Sequence, residues 1–264
     1  MVFSSLTFLF LYLPLTLLVY FLSPLKWRNF VLLLVSLLFY GWGEPVYIVI
    51  MFVSIIIDYT HGLLVEKHRS DDKKARWFVA QSVIFNLALL FFFKYGTFFA
   101  ENLYALTGIL IPQSVKLLGV TIPLWGVPLP IGISFYTFQT MSYTIDVYRK
   151  DAPVQRNMVE FGTFVTMFPQ LIAGPIVQYK TVAADLVHRI HSSENFALGA
   201  RRFCVGLAKK VLLANSIGAL WEECLAAQGA GTLTVLGGWL GLAAYGFQIY
   251  FDFSGYSDMA IGLG

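Results

Sequence analysis

Lys26 is the first charged residue of this chain, and the stretch before it, "MVFSSLTFLFLYLPLTLLVYFL", is almost wholly apolar. About 20 such residues are enough for a helix to cross the hydrocarbon of a bilayer. Apolar runs of this kind recur up to "LGGWLGLAAYGFQI" near the last residues. In lipid each run must satisfy its own backbone hydrogen bonds, which leaves helices as the economical solution. The whole 264-residue chain follows suit: 58% of residues are hydrophobic and 12% are charged, against about 25% charged in a soluble domain. The expected fold is an all-α polytopic membrane protein, read as one transmembrane domain over residues 1–264.

The formal net charge of +3 is small, so the basic residues serve better as topology signals than as a nucleic-acid surface. Cys204 and Cys224 form no CxxC and imply neither a disulfide framework nor a zinc site. The N-terminus lacks a basic n-region, so no cleaved secretory signal is expected.

Apolar segments are expected at Phe3–Leu22 with a kink at Pro14, Phe30–Trp42, Val46–Ile57, Trp77–Phe93, Phe98–Ile111, Leu129–Val147, Asn157–Ala173, Phe203–Leu220 and Leu233–Phe251. That is roughly eight or nine membrane segments. Short ones beside Gly and Pro suggest tilted or re-entrant helices, because broken backbone at membrane depth must face protein or water. The loop "EKHRSDDKKAR" carries five basic residues and marks a cytoplasmic face, which puts the N-terminus outside. In "VQYKTVAADLVHRIHSSENF", Tyr179, Val182, Leu186 and Ile190 recur at helical spacing, as in an amphipathic helix on the membrane surface.

Three polar constellations interrupt the apolar pattern. In "YFDFSGYSDMAIG", read as a helix, Tyr245, Gln248, Asp252 and Gly255 share one stripe, and Ser254 and Asp258 form a second i, i+4 pair, with Tyr256 and Ser257 between them. Acids inside a membrane are costly and face a bundle interior or a wet cavity. They serve either as ties between helices or as a polar funnel for a substrate. In "LPIGISFYTFQTMSYTIDVYRK", Gln139, Ser142, Asp146 and Arg149 share a stripe. Asp146 and Arg149 are placed to pair, as an interhelical salt bridge or as part of a polar path. In "MFPQLIAGPIVQY", Pro169, Gly174 and Pro175 break the helix, and Gln170 and Gln178 read as exposed polar groups. The break is either a plain kink or re-entrant backbone lining a cavity.

None of the four histidines lies inside one of these apolar segments. His188 and His191 with Asp185 have the spacing of a metal face, but the apolar pattern of that helix explains them without metal. No GxSxG, Walker loop, HExxH or GxGxxG occurs.

These blocks, together with "WRNFVLLLVSLLFYGWGEP", "GLAKKVLLAN" and "QIYFDFSGYSDMAIGLG", resemble the membrane-bound O-acyltransferase family, and in particular its bacterial branch that acetylates alginate. They run in the family's order along the whole chain. The resemblance implies a partial form of the family fold, a ring of helices around a tunnel in a multi-pass protein of the bacterial inner membrane. It implies an acyl thioester such as acetyl-CoA as donor on the cytoplasmic side, with no bound cofactor and no metal. An extracytoplasmic acetyltransferase partner would pass the acetyl group to a polysaccharide. The tunnel candidates are Gln139, Asp146, Arg149, Gln170, Gly174, Pro175, Gln178, Gln248, Asp252, Ser254, Tyr256, Ser257 and Asp258.

The family's catalytic histidine follows the FDFSGYSD block, beyond Gly264, so no histidine here is carried over as the base and this chain alone is expected to be inactive. An imidazole suits deprotonation of an attacking hydroxyl near neutral pH. Carboxyls such as Asp252 and Asp258 titrate near ~4 and are poorer bases for that step. A truncated, inactive product is one alternative. A transporter with broken helices and midplane acids is another, although the two halves show no convincing self-similarity.

Overall fold

The computed structural model describes residues 3–108, 114–117, 120–123, 128–171, 177–187, 189 and 191–264. It is helical apart from one antiparallel hairpin, β1 (Ser114–Leu117) with β2 (Val120–Pro123), in which Val115 pairs with Ile122 and Leu117 with Val120. The all-α class holds around this short hairpin, whose residues Val115, Val120, Thr121 and Ile122 are of the β-branched type that fits a pleated strand.

The chain divides into two compact units. The first comprises residues 1–31, 167–175 and 188–264. It begins with a π-helical turn, Phe8–Tyr12, that leads into α1 (Leu13–Leu22), and Pro14, where the sequence predicts a kink, lies in the first turn of α1 just after it. The short α7 (Phe168–Leu171) follows in this unit. Then α9 (Ser193–Ala208), a π-helical stretch Lys209–Ala214 and α10 (Asn215–Gly229) run without a break. Gly231, at φ 70°, lets the chain turn into α11 (Val235–Leu263), whose N-cap Thr234 accepts from the Gly237 N–H. The expected end at Phe251 is overtaken: no Pro interrupts the polar block, and all of it is helical. Phe3, Phe8, Tyr12, Phe168 and Tyr256 form an aromatic cluster, with Phe3 stacked on Tyr256 at 4.7 Å between ring centroids.

The second unit comprises residues 32–166 and 176–187. It holds most of α2 (Arg28–Gly43), together with α3 (Ile48–Lys67), α4 (Asp72–Thr107), α5 (Ile133–Arg149), α6 (Met158–Thr166) and α8 (Tyr179–Val187). The third apolar segment does not stop at Ile57: α3 runs ten residues further, enclosing Asp58. The two segments expected at Trp77–Phe93 and Phe98–Ile111 are one helix, α4, because nothing between them breaks a helix and the lone Gly96 is buried. Gly108, at φ 70°, ends it in the left-handed conformation that glycine adopts without strain. Its N-cap Asp71 accepts from the Lys74 N–H, and the Lys74 side chain bonded to the carboxyl holds it below the usual carboxylate range. The amphipathic helix is shorter than expected: α8 ends at Val187. Its Tyr179 ring packs within the unit on Tyr143 and Phe164, at 4.8 and 5.3 Å, so this apolar position is covered by protein.

Among the described residues, three helical runs are long and apolar enough to cross a membrane: Ile48–Lys67, Asp72–Thr107 and Ser193–Gly229. Phe8–Leu22 is apolar but shorter.

Candidate functional site

The first unit places its polar block on a helical seam. α11 lies antiparallel to the α9–α10 run, and small residues let the two backbones approach. Gly199 faces Gly262 and Gly206 faces Gly255. Further along, Gln248 lies on Gly218, and the Tyr245 ring lies 4.9 Å from that of Trp221. The stripe Tyr245–Gln248–Asp252–Gly255 is therefore the face that α11 turns to its partner.

Five charged side chains and a serine hydroxyl sit in this seam. Lys210 Nζ lies 2.7 Å from Asp252 Oδ1. Lys209 Nζ donates to Asp258 Oδ2 at 2.6 Å and to Ser254 Oγ at 3.0 Å, and Arg202 Nε donates to Asp258 Oδ1 at 3.1 Å. The two lysines are adjacent in sequence and open the π-helical stretch, whose wider turn suits both of them reaching α11. Each carboxylate makes an ion pair from α11 to the facing α9–α10 run. They differ in environment: the Asp258 side chain is 19% exposed and the Asp252 side chain 46%. Ser257 is half-buried, as is Gln248. Gln170, expected to be exposed, is buried in α7. Gly174 and Pro175 lie outside the described residues, as does His188. His191 Nε2 lies 3.3 Å from the Tyr20 hydroxyl. Partial burial, and then the charges of Arg28 and Arg189, hold the His191 imidazole below its ordinary pKa.

The second unit holds a polar core around α5, whose ring of buried residues runs from Ile133 to Val147. At its centre is Asp58, fully buried on α3. Asp58 Oδ1 accepts from Ser82 Oγ at 2.5 Å and from Asn86 Nδ2 at 2.9 Å, and Oδ2 lies 2.8 Å from the same amide nitrogen. Ser82 Oγ is 3.2 Å from Thr144 Oγ1, and Thr140 Oγ1 is 3.4 Å from Asn86 Oδ1. No ion pair reaches Asp58 among the described residues. The sequence reading missed this group because it ended the third segment one residue short. The available signals were an acid within an apolar run and a Ser82–Asn86 pair at i, i+4.

The other predicted residues of this unit are spread out. Gln139 is 2% exposed, and neither end of its amide finds a partner among the described residues. Asp146 and Arg149 do not pair: Asp146 is buried and its Oδ2 accepts from the Lys180 N–H at 3.4 Å, whereas Arg149 is exposed at the end of α5. Three residues along a helix places them on one side, but Lys150, at φ 67°, ends the helix there and leaves Arg149 in solvent. Gln178 is exposed, and its carbonyl accepts from Thr181 at the start of α8.

No protein-family model matches the chain. Individual proteins do. "Probable alginate O-acetylase AlgI" of Azotobacter vinelandii is 42% identical over 264 residues, all of this chain and 51% of the relative. The protein of the same name from Pseudomonas aeruginosa is 41% identical, again over all of this chain and over 49% of its own length. The chain is similar along its whole length to these alginate O-acetylases. The "Peptidoglycan O-acetyltransferase" of Helicobacter pylori is 30% identical over 296 aligned positions, with all of this chain and 54% of the relative covered. These matches bear out the resemblance to membrane-bound O-acyltransferases carried by the sequence blocks. The chain spans about half the length of the alginate O-acetylases it matches.

Proposed function

We propose that this chain forms membrane-embedded structure of an enzyme that O-acetylates an extracytoplasmic polysaccharide, in a bacterial inner membrane that it crosses or enters in roughly eight or nine segments. The observation that carries this reading is the full-chain likeness to proteins named for O-acetylation of two different polymers, alginate and peptidoglycan. What those names share is transfer of acetyl to a polysaccharide oxygen.

In this reading the donor is a cytoplasmic acyl thioester such as acetyl-CoA, and the acetyl group leaves outward to a partner acetyltransferase. Asp252 supports a polar wall: a carboxylate that is 46% exposed on an apolar helix is tolerable only against water or polar groups. In the second unit, the unpaired amide of buried Gln139 is a group that water or a polar substrate atom would satisfy. Both residues are proposed to line wet cavities, with Lys210 orienting the Asp252 carboxylate.

Deleting the gene in its host and measuring ester-bound acetate on the extracytoplasmic polysaccharide tests the reading. The expected result is a loss of acetate that the gene restores in trans. Unchanged acetate in a strain shown to lack the protein would overturn it.

A further inference from the structure

Asp58 is the eleventh residue of the 20-residue helix α3, which places it about 15 Å from either end at 1.5 Å per residue. It is fully buried. Two neutral side chains, Ser82 and Asn86, bond to it, and no basic side chain comes within ion-pair distance among the described residues. An ionised carboxylate so placed is costly, and the lower-cost state carries a proton.

The hydroxyls around it can also serve that state. Thr144 Oγ1 lies 3.2 Å from Ser82 Oγ and 3.4 Å from the Thr140 carbonyl. Each hydroxyl has one proton to give. A protonated Asp58 donates to Ser82, Ser82 to Thr144, and Thr144 to the Thr140 carbonyl, which leaves no donor idle. With Asp58 ionised, the Ser82 proton turns back to the carboxylate and the order reverses. The Ser82 and Thr144 hydroxyls can each point either way, as proton transfer along hydroxyls requires, and the Thr140 carbonyl only accepts and ends this chain.

Two further buried hydroxyls lie on α3 and α5 away from the basic loop that follows α3. Ser54 lies one turn before Asp58, and Thr137 lies three residues before Thr140. Both are fully buried, and their hydroxyls have no partner among the described residues, which suits ordered water. Toward the basic loop, α5 reaches Tyr148, whose hydroxyl donates to Asp72. The titratable groups nearest Asp58 are His61 on α3, with Nδ1 2.7 Å from the Ile57 carbonyl, and Tyr143 on α5, whose hydroxyl accepts from the Gln155 N–H. From α4 the contacts are the neutral Ser82 and Asn86.

We propose that Asp58 is a proton-binding carboxyl in a buried hydroxyl file, and that the file returns inward the proton released by each acetyl transfer. The second half rests on the acetyl-transfer reading above; the first does not. In that transfer the thioester C–S bond breaks and an acceptor O–C bond forms. The acceptor hydroxyl loses its proton outside, and the departing thiolate gains one inside. One proton per acetyl therefore has to cross in the opposite direction.

Infrared spectroscopy of the purified chain in lipid nanodiscs, without donor or acceptor, tests the first half. At neutral pH a protonated-carboxyl C=O band is expected, shifted by 13C-aspartate labelling and lost in Asp58→Asn. Absence of a label-sensitive band, or its survival in Asp58→Asn, would overturn proton binding. Proteoliposomes holding a pH-sensitive dye test the file. Under an imposed pH gradient, Ser82→Ala should slow proton entry severalfold while keeping the band. Entry at the wild-type rate would overturn conduction. If Asp58→Asn does not fold, the labelled wild-type protein and Ser82→Ala still decide. Neither readout needs acetyl transfer, so a failure of that reading, seen as unchanged polysaccharide acetate, is told apart from a failure here.

Discussion

Gly206 and Gly255 meet where α9 crosses α11, so closely that a Cβ on Gly206 would lie 2.5 Å from the Gly255 carbonyl oxygen and 2.7 Å from the Met259 nitrogen. Both obstacles are backbone, which cannot rotate aside. This approach brings Lys209 and Lys210 within reach of Ser254, Asp258 and Asp252.

Gly206→Ala is therefore expected to push the helices apart and destabilise the first unit by about 1–3 kcal/mol, the usual cost of overpacking. Gly246, on the same α11, has nothing within 4 Å of its would-be Cβ. Gly246→Ala should leave stability unchanged or raise it slightly. Thermal unfolding of the two variants in detergent would show the contrast, and equal melting temperatures would refute the close crossing.

The two carboxylates of the seam should respond unequally. Asp258 is bonded by Lys209 and Arg202 and is largely covered, whereas Asp252 is paired with Lys210 and is more open. Asp252→Asn is expected to cost about 0.2–1 kcal/mol, as exposed ion pairs do, and Asp258→Asn more. Measured together with polysaccharide acetate, Asp252→Asn should lower acetylation at near-normal protein level if its carboxylate lines a wet wall. Full acetylation at normal abundance would leave that block as a packing device.

The pH response of His191 has a definite sign. Its imidazole is held below its ordinary value near 6.5 by partial burial and by Arg28 and Arg189, so the folded state favours the neutral ring. The unfolded chain binds the proton more readily, and stability from this group is full above that value and is lost as pH falls through the folded pKa. His191→Gln should flatten the acid side of the stability curve between the two. An unchanged curve would show that the ring titrates freely.

Positive charge between Lys67 and Arg76 is expected to keep the α3–α4 loop in the cytoplasm. In a background lacking Cys204 and Cys224, a cysteine at Ser70 should resist an impermeant thiol reagent in intact cells, while one at Glu44 should react. The opposite pattern would invert the orientation.

The membrane class and the position of most helices were legible in the sequence, because exclusion of charge over 20-residue stretches is a one-dimensional property. The stripe through Gln248, Asp252 and Gly255 and the Ser254–Asp258 pair were legible too, since helical spacing alone sets which residues share a face. Helix ends were less so. Asp58 lay just past an apolar run, and hydropathy stops at an acid although α3 continues through it. Partnership was decided only by tertiary structure. Spacing offered Arg149 to Asp146, yet the helix ends in a left-handed residue and Asp146 turns to the backbone of α8. Nothing local to Asp252 or Asp258 announces lysines some 42 and 49 positions away in the chain. Glycine contacts between α9 and α11 bring them there, and a carboxylate takes its role from whichever groups packing sets beside it.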